Sequence, residues 1–546
     1  MSTKWLKKFK SSRARAARPV AVQARLYVAE MLEQRLCLST NVLSYHYDAA
    51  STGVNSTEVA LTPSNVNAAT FGKVGSTAVD GQVYAQPLYM SSVNITTGSS
   101  QGIHSVVFVA TEHDSLYAID AVNGSILWQD SFINPAAGIT TVPNIDVSSN
   151  DLAPEIGITS TPVIDASTNT LFVTAKTKEV SGGNTHYVMK LHAIDIANGS
   201  EKFGGAVTIA DTIYNGSTYT YVSGPSVNGT GDGSVNGKIV MNALRAHQRT
   251  ALTLINGTVY IGFASHSDNG PYHGWLLGYN ATNLALTAAF NATPGGGLGG
   301  IWQAAGKIAS DSQGYLYLST GNGSFDTTLD ANGFPIKGDY GNSVIKLAVD
   351  PTSSSANQNV NGWGLKVVDY FTPFNQQALN QQDVDFGSGA PMILPDSAGS
   401  AAHPHLMVVG GKEGRIYLVD RDNMGKYDPN TDHVVQEVTN GVNGVIDTPA
   451  FFQNRLYYVG SYTDVAKSFT VSNGIISTVP SSQSADSYTF PGATPVISAN
   501  GTANAIMWAI DKGSNQLRAY DATNLTNELY TSAQAASGRD LISAVK

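Results

Sequence analysis

The side chains of this chain that can bind ligands or move protons gather in short polar runs between apolar stretches. Such runs are Glu112-His113-Asp114, Pro154-Glu155-Ile156-Gly157, Lys176-Thr177-Lys178-Glu179 and His247-Gln248-Arg249. Further along come HSDNGPYHGW from His266, Gly300-Ile301-Trp302-Gln303, Thr320-Gly321-Asn322-Gly323, Asp383-Val384-Asp385 and Lys412-Glu413. Carboxylates, amines, imidazoles and an indole in one pocket would form a polar binding site with an aromatic contact. The binding set taken from them is Glu155, Arg249, His266, Asn269, Tyr272, His273, Trp302, Gln303, Asn322, Asp385, Lys412 and Glu413. Two histidines and Asp268 within eight residues have the ligand types of a transition-metal site. Their spacing matches no zinc signature, so a structural role for the histidines is the stronger reading. Asn322 and Asp339 offer oxygen donors of the kind calcium takes, and a hydrogen-bond network uses the same groups equally well. No G-x-S-x-G elbow, Walker A loop or H-E-x-x-H pair occurs. The GGGLGG run at 295–300 joins two strands and precedes no helix, so it reads as a flexible link rather than a phosphate loop.

The elements that must hold these runs are short strands. VVFVAT, SLYAID and ILW, between Val106 and Trp128, are β-branched and aromatic and are separated by polar turns. Ala118, Asp120, Gly124 and Trp128 form the pattern A-x-D-x3-G-x3-W. Ala118 leaves room on a crowded face, and Asp120 can hydrogen-bond the backbone of the following turn. Gly124 supplies a positive φ, and Trp128 is large enough to pack on a neighbouring sheet. Degenerate copies recur. QPLYM, TPVID, APMIL, TPAFF and TPVIS each open a unit; TLFVTAKT, TVYIGFASH, LMVVGGKEG and RLYYVGSY follow as second strands. Seven units result, near 84–132, 158–210, 249–294, 302–373, 389–439, 446–482 and 493–535. The inserts 211–240 and 323–340 are rich in Gly, Asn and Ser and have no core character.

This repeat resembles the tryptophan-docking motif of the pyrroloquinoline-quinone (PQQ)-type β-propellers. From about Tyr45 to Lys546 the chain is similar to secreted bacterial PQQ-like propeller proteins. The segments that carry the likeness are GQVYAQPLY, ATEHDSLYAIDA, PEIGITSTPVID, HSDNGPYHGWLLGY, GGIWQAAG, STGNGSFD, FTPFNQQALN, GKEGRIYLVDRDNMG and YTFPGATPVISANG. The resemblance implies an all-β propeller of the eight-bladed type, with seven blades readable and the eighth incomplete. It implies a fold more than a reaction. In a propeller, links from second to third strands and from blade to blade converge on one end of the central channel, so the polar runs should share one mouth. Phe71–Val79 reads as a lone strand, suited to be the outer strand of a closing blade completed from 539–546. On that reading, extending the chain past Lys546 should raise the melting temperature.

Bulk composition agrees. Of 546 residues, 42% are hydrophobic and only 13% charged, and 54 are glycine, which suits a turn-rich all-β chain with a large core. Residues 1–35 hold nine of the 31 basic residues and two of the 41 acidic ones; the remaining 22 basic and 39 acidic residues give the body a formal charge of −17. An acidic body argues against a nucleic-acid partner, and no apolar run reaches the roughly 18–20 residues of a membrane span. Residues 1–40 read as a basic, export-associated leader, with Leu32-Glu33-Gln34-Arg35-Leu36-Cys37-Leu38 similar to a short motif of exported bacterial proteins, and 41–70 as a polar lead-in to the propeller. Cys37 is the sole cysteine, which excludes intramolecular disulfides, including the adjacent-cysteine bridge of many quinoprotein alcohol dehydrogenases. The expectation is a secreted or envelope-associated binding or scaffold module for an extracellular glycan or protein. The alternatives are a quinoprotein-type oxidoreductase, or a hydrolase or lyase on an extracellular polymer. PQQ is not expected to bind productively, while calcium is chemically admissible.

Overall fold

The computed structural model describes residues 40–543, so the basic leader and the last three residues lie outside the described residues. Seven antiparallel blades succeed one another along the chain. Blade one comprises Leu88–Ile95, Gly102–Ala110, Ser115–Asp120 and Ile126–Ser131. Blade two comprises Val163–Asp165, Thr170–Ser181, Asn184–Asp195 and Val207–Tyr214, with Tyr219–Ser223 added outside. The inner strands of the remaining blades are Thr253–Ile255, Ala309–Ser310, Met392–Ile393, Ala450–Phe452 and Val496–Asn500. The outer strands of blades three and four pair with each other, Ala289 with Trp363 and Phe290 with Gly362, and so fuse those blades into one sheet.

The middle strands are buried on both faces because a blade lies on each side. Leu406–Gly410 and Ile416–Asp420 are therefore continuous apolar runs rather than alternating ones. Six hydrophobic clusters fill the spaces between successive blades, from Phe108 and Leu171 between one and two to Phe452 and Met507 between six and seven. The A-x-D-x3-G-x3-W residues sit in the first of these spaces and its bordering turn. Ala118 is fully buried, Asp120 accepts from the amides of Val122 and Asn123 at 2.7 and 3.2 Å, and Gly124 has φ 74°. Trp128 Nε1 donates to Ile196 O of blade two at 3.0 Å. Its ring lies so close to Gly199 that a Cβ there would stand 2.9 Å from it.

Residues 42–55, expected as a lead-in, instead run round the inner wall of the channel. Val42 exchanges backbone hydrogen bonds with Tyr89 of blade one, and Leu43 O accepts from Ile164 of blade two. The carbonyls of Ala49, Ala50, Thr52 and Gly53 then accept from Ser310, Ile393, Phe451 and Ile497, the inner strands of blades four to seven. A strand edge at the channel wall must find partners for its amides, and this segment supplies them. Between its two arms the turn at Tyr45–Ser51 bends inward, with positive φ at His46, Tyr47 and Ser51. Tyr45 and His46 stack at 4.9 Å in the middle of the channel. The segment is a plug.

Other expectations are corrected. Phe71–Val79 forms no strand; it runs as coil from blade seven, where Lys73 N donates to Asp540 Oδ1 at 2.9 Å, to blade one, where Thr77 Oγ1 donates to Gly124 O at 2.8 Å. Residues 71–79 and 539–543 contribute no strand to a closing blade, and 544–546 lie outside the described residues. The insert 211–240 does have core character, since Val227 and Ile239 form a hairpin buried against blades two and three. Tyr340 of the other insert is buried between blades three and four. Blade six extends past 482, its outer strand being Ser482–Tyr488.

Candidate functional site

Chain direction alternates along each blade, so the links from second to third strands and the approaches to each inner strand lie at one end of the channel. Tyr45 faces that end. Its hydroxyl donates to Thr448 Oγ1 at 3.3 Å, just ahead of the inner strand of blade six. Around it stand groups from the links of blades one to three. Glu112 Oε2 accepts from Gly157 N at 2.8 Å and from Thr159 Oγ1 at 3.2 Å, while its other oxygen has no partner. Both carboxylate oxygens of Asp114 and of Asp447 are buried without a side-chain or backbone donor, and the Tyr458 hydroxyl is likewise unpartnered. Lys176 Nζ donates to Leu244 O and Ala246 O at 2.9 and 2.8 Å and lies 2.9 Å from His266 Nε2, whose ring stacks on His247 at 4.3 Å. Arg249 sits within electrostatic reach of Tyr45, Glu112, Tyr84 and Asp151, yet it makes no ion pair or side-chain hydrogen bond among the described residues.

Burial decides the charge of this chamber. It pushes Glu112 up to about 7, and Asp114 and Asp447 well above the usual carboxylate range. It pushes Lys176, His247 and His266 well down, so that the amine can rest beside an imidazole acceptor. Burial also lowers Arg249, but a guanidinium keeps its proton across the working range of proteins. Arg249 is thus a fixed positive charge beside groups whose charge burial disfavours.

The remaining sequence-selected residues fall into two kinds. Tyr272 donates to Asp268, and Asp268 lies in the field of Asp385, Asp383 and Lys412. Lys412 Nζ pairs with Asp385 Oδ2 at 2.5 Å and with Asp383 Oδ1 at 3.4 Å. Against burial, these two acids hold Lys412 above the usual lysine range. Asn322 donates to Asp383 Oδ1 at 2.6 Å, and its backbone amide donates to Asp385 Oδ1. Trp302 lies against Gly300 and Gly321, where a Cβ would stand within 3 Å of its ring. These form a second polar group at blades three to five. The others hold backbone. Asn269 caps the carbonyls of Val147, Ser148 and His266, and His273 ties Thr293 to Asp232 O. Gln303, fully buried, joins Ser319 N to Lys307 O. Glu413 accepts from Asn375 and pairs with Arg415 on the rim, and Glu155 engages His113 and Thr141 at 3.0 and 2.7 Å.

By sequence, the chain matches no protein-family model and no curated protein. By fold it is similar to the quinohemoprotein alcohol dehydrogenase of Comamonas testosteroni, with TM-score 0.53 and 12% identity over 92% of this chain and 74% of that one. The quinohemoprotein alcohol dehydrogenase ADHIIG of Pseudomonas putida HK5 covers 90% of this chain and 72% of its own at TM-score 0.48 and 12% identity. BamB from Moraxella catarrhalis covers 70% and 80% at TM-score 0.30 and 12% identity. The chain has the quinoprotein β-propeller fold. At such identity the likeness speaks for the fold alone.

A quinone held with calcium needs an aromatic floor and a cage of Glu, Asn and Asp oxygens. The quinoprotein fold here offers the Tyr45–His46 stack, but the oxygen donors singled out in the sequence are committed elsewhere. Glu155 faces His113, Asn322 faces Asp383, and Asp339 accepts from the amides of Gly295 and Gly296 at 2.7 and 3.1 Å. The glycine run thus holds a carboxylate of its own chain. His266, His273 and Asp268 each face a different partner and share no ligand position. Glu155, Asn322 and Asp339 therefore do not form a calcium cage in this arrangement, and the unpartnered carboxylates of Glu112, Asp114 and Asp447 belong to no cluster of three or more acids or histidines placed to hold a metal ion among the described residues. Tyr45, Tyr84, Lys176 and Asp447 were not in the sequence-selected set; the aromatic density of YHYD and the acid ahead of the T-P pair at Thr448 were the signals available.

Proposed function

We propose that this propeller is a binding module, secreted or envelope-associated, whose ligand enters the channel mouth and sets a carboxylate on Arg249. The observation that carries this is a half-buried guanidinium that has no ion pair or side-chain hydrogen bond among the described residues, set among acids that burial shifts upward and an amine that it shifts downward. A half-buried cation gains from an anionic partner, and a carboxylate fits the guanidinium fork. Tyr45 and Tyr84 stand within its electrostatic reach. Acidic extracellular glycans and carboxylate-bearing protein segments have this chemistry.

Calorimetric titration with oligogalacturonate, with a neutral oligosaccharide of equal length and with a Glu-rich peptide tests the reading. We expect saturable binding of an acidic probe, weakened about 10- to 100-fold in Arg249→Gln, a charged hydrogen bond being worth about 1.5–3 kcal/mol. Arg249→Gln should also keep or raise the melting temperature, since it removes an unpaired, half-buried charge. Equal affinity in both proteins, or no binding of either acidic probe, defeats the proposal. The oxidoreductase reading rests on fold likeness; reconstitution with PQQ and calcium followed by a dye-linked assay on alcohols and sugars decides it, and turnover would favour it.

A further inference from the structure

The other end of the channel carries a second concavity, separated from the mouth by the plug. It measures about 740 Å³ and lies between residues 48–56 of the plug and the turns of blades four, five and six. Its floor holds Arg421, only 7% exposed, whose Nη1 pairs with Asp311 Oδ2 at 3.0 Å. Nη2 makes no hydrogen bond among the described residues, since Asp396 Oδ1 stands off at 3.7 Å. That leaves N–H donors at the groove floor in want of an acceptor oxygen. Asp311 and Asp396 face the guanidinium, and Asp48, which accepts from the amide and hydroxyl of Thr52, lines the same groove, with Lys307 behind the plug near Asp48 and His405 at 4.0 Å from Asp396. The Asp396 side chain is 72% exposed and free to turn toward an incoming cation. Ile393 and Phe451 form an apolar strip along the same wall.

We infer that this groove binds an extended peptide bearing lysine or arginine. A main-chain carbonyl supplies the acceptor that Arg421 Nη2 lacks. The aliphatic stem of the basic side chain lies on the apolar strip, and its charged end meets Asp48 and Asp396. A free polyamine satisfies the acids but brings no acceptor, so the two kinds of cation are separable. The site is independent of Arg249, because the plug stands between them.

The test is fluorescence anisotropy with a labelled Ala-Lys-Ala-Lys-Ala peptide, using spermidine as competitor. We expect saturable binding that weakens at least about tenfold in Asp48→Asn/Asp396→Asn, disappears in Ala49→Trp, which fills the groove without touching its charges, and survives in Arg249→Gln. Asp330→Asn/Asp428→Asn removes the same charge from positions outside the groove and should leave binding within twofold. No saturable binding overturns the inference, as does equal weakening in the control pair, which would mean attraction to the acidic body at large. Spermidine competing as well as unlabelled peptide overturns the assignment to a peptide.

Discussion

At the scale of single residues, the chamber is governed by what burial does to charge. Glu112 binds its proton with a pKa of about 7 in the folded protein against 4.5 for the ordinary side chain. Between those values the folded state keeps a proton that the unfolded chain releases. The contribution to stability is therefore complete below the lower value and is lost as pH rises through the upper one. The full loss is on the order of 3 kcal/mol, with Asp114 and Asp447 acting in the same direction. Denaturant midpoints measured at pH 5 and pH 8 should fall with rising pH, and Glu112→Gln should flatten the fall while keeping the bonds from Gly157 and Thr159. An unchanged slope in the variant would show that Glu112 is already ionised at pH 5. Acidic-ligand affinity should decline over the same interval, because an ionised Glu112 competes for Arg249.

At the scale of elements, blade docking depends on one large side chain meeting one residue without a side chain. Trp128 fills the space between blades one and two and donates to Ile196 O, over a Gly199 held at φ 78°. Trp128→Ala should cost about 3–5 kcal/mol, and Trp128→Phe about 1–2, the latter leaving the Ile196 carbonyl without its donor. Chemical unfolding measures both, and a smaller loss for Ala than for Phe would contradict the packing account. The motif was legible because each of its parts acts within a few residues of chain or across one neighbouring strand. The plug was not. Its sequence, NVLSYHYDAASTGVN, has no strand periodicity, and its partners are the inner strands of six blades spread over more than 400 residues.

At the scale of the molecule, the ring is unequal. Blades two to six each share a hydrophobic cluster with a neighbour on both sides, whereas the outward faces of blades one and seven carry separate small clusters. On blade one, Val109, Tyr117 and Ile119 meet Val79 and Val83; on blade seven, Ile506, Ala519 and Tyr530 meet Leu61 and Phe71. Coil, rather than a further sheet, covers both faces among the described residues. Local opening follows the density of buried contacts. In hydrogen exchange, Ser115–Asp120 and Gln516–Asp521 should lose protection before Ile416–Asp420 of blade five. Uniform protection across the three strands would mean that blades one and seven are joined as firmly as the others.

What the amino-acid order determined by itself was the all-β class, the repeat and the blade-docking residues, because strand patterning, turn glycines and a tryptophan at fixed spacing are local signals. It also placed Arg249, His266, Tyr272, Trp302, Asn322, Asp385 and Lys412 in links rather than strands. Tertiary structure alone decided which of those side chains have partners. His273, Asn269 and Gln303 turned out to bind backbone, and the glycine run at 295–300 to hold Asp339, because a polar group leaving water takes the nearest complementary atom whatever its distance in sequence. The same rule, applied to Arg249, left it unpaired above the plug.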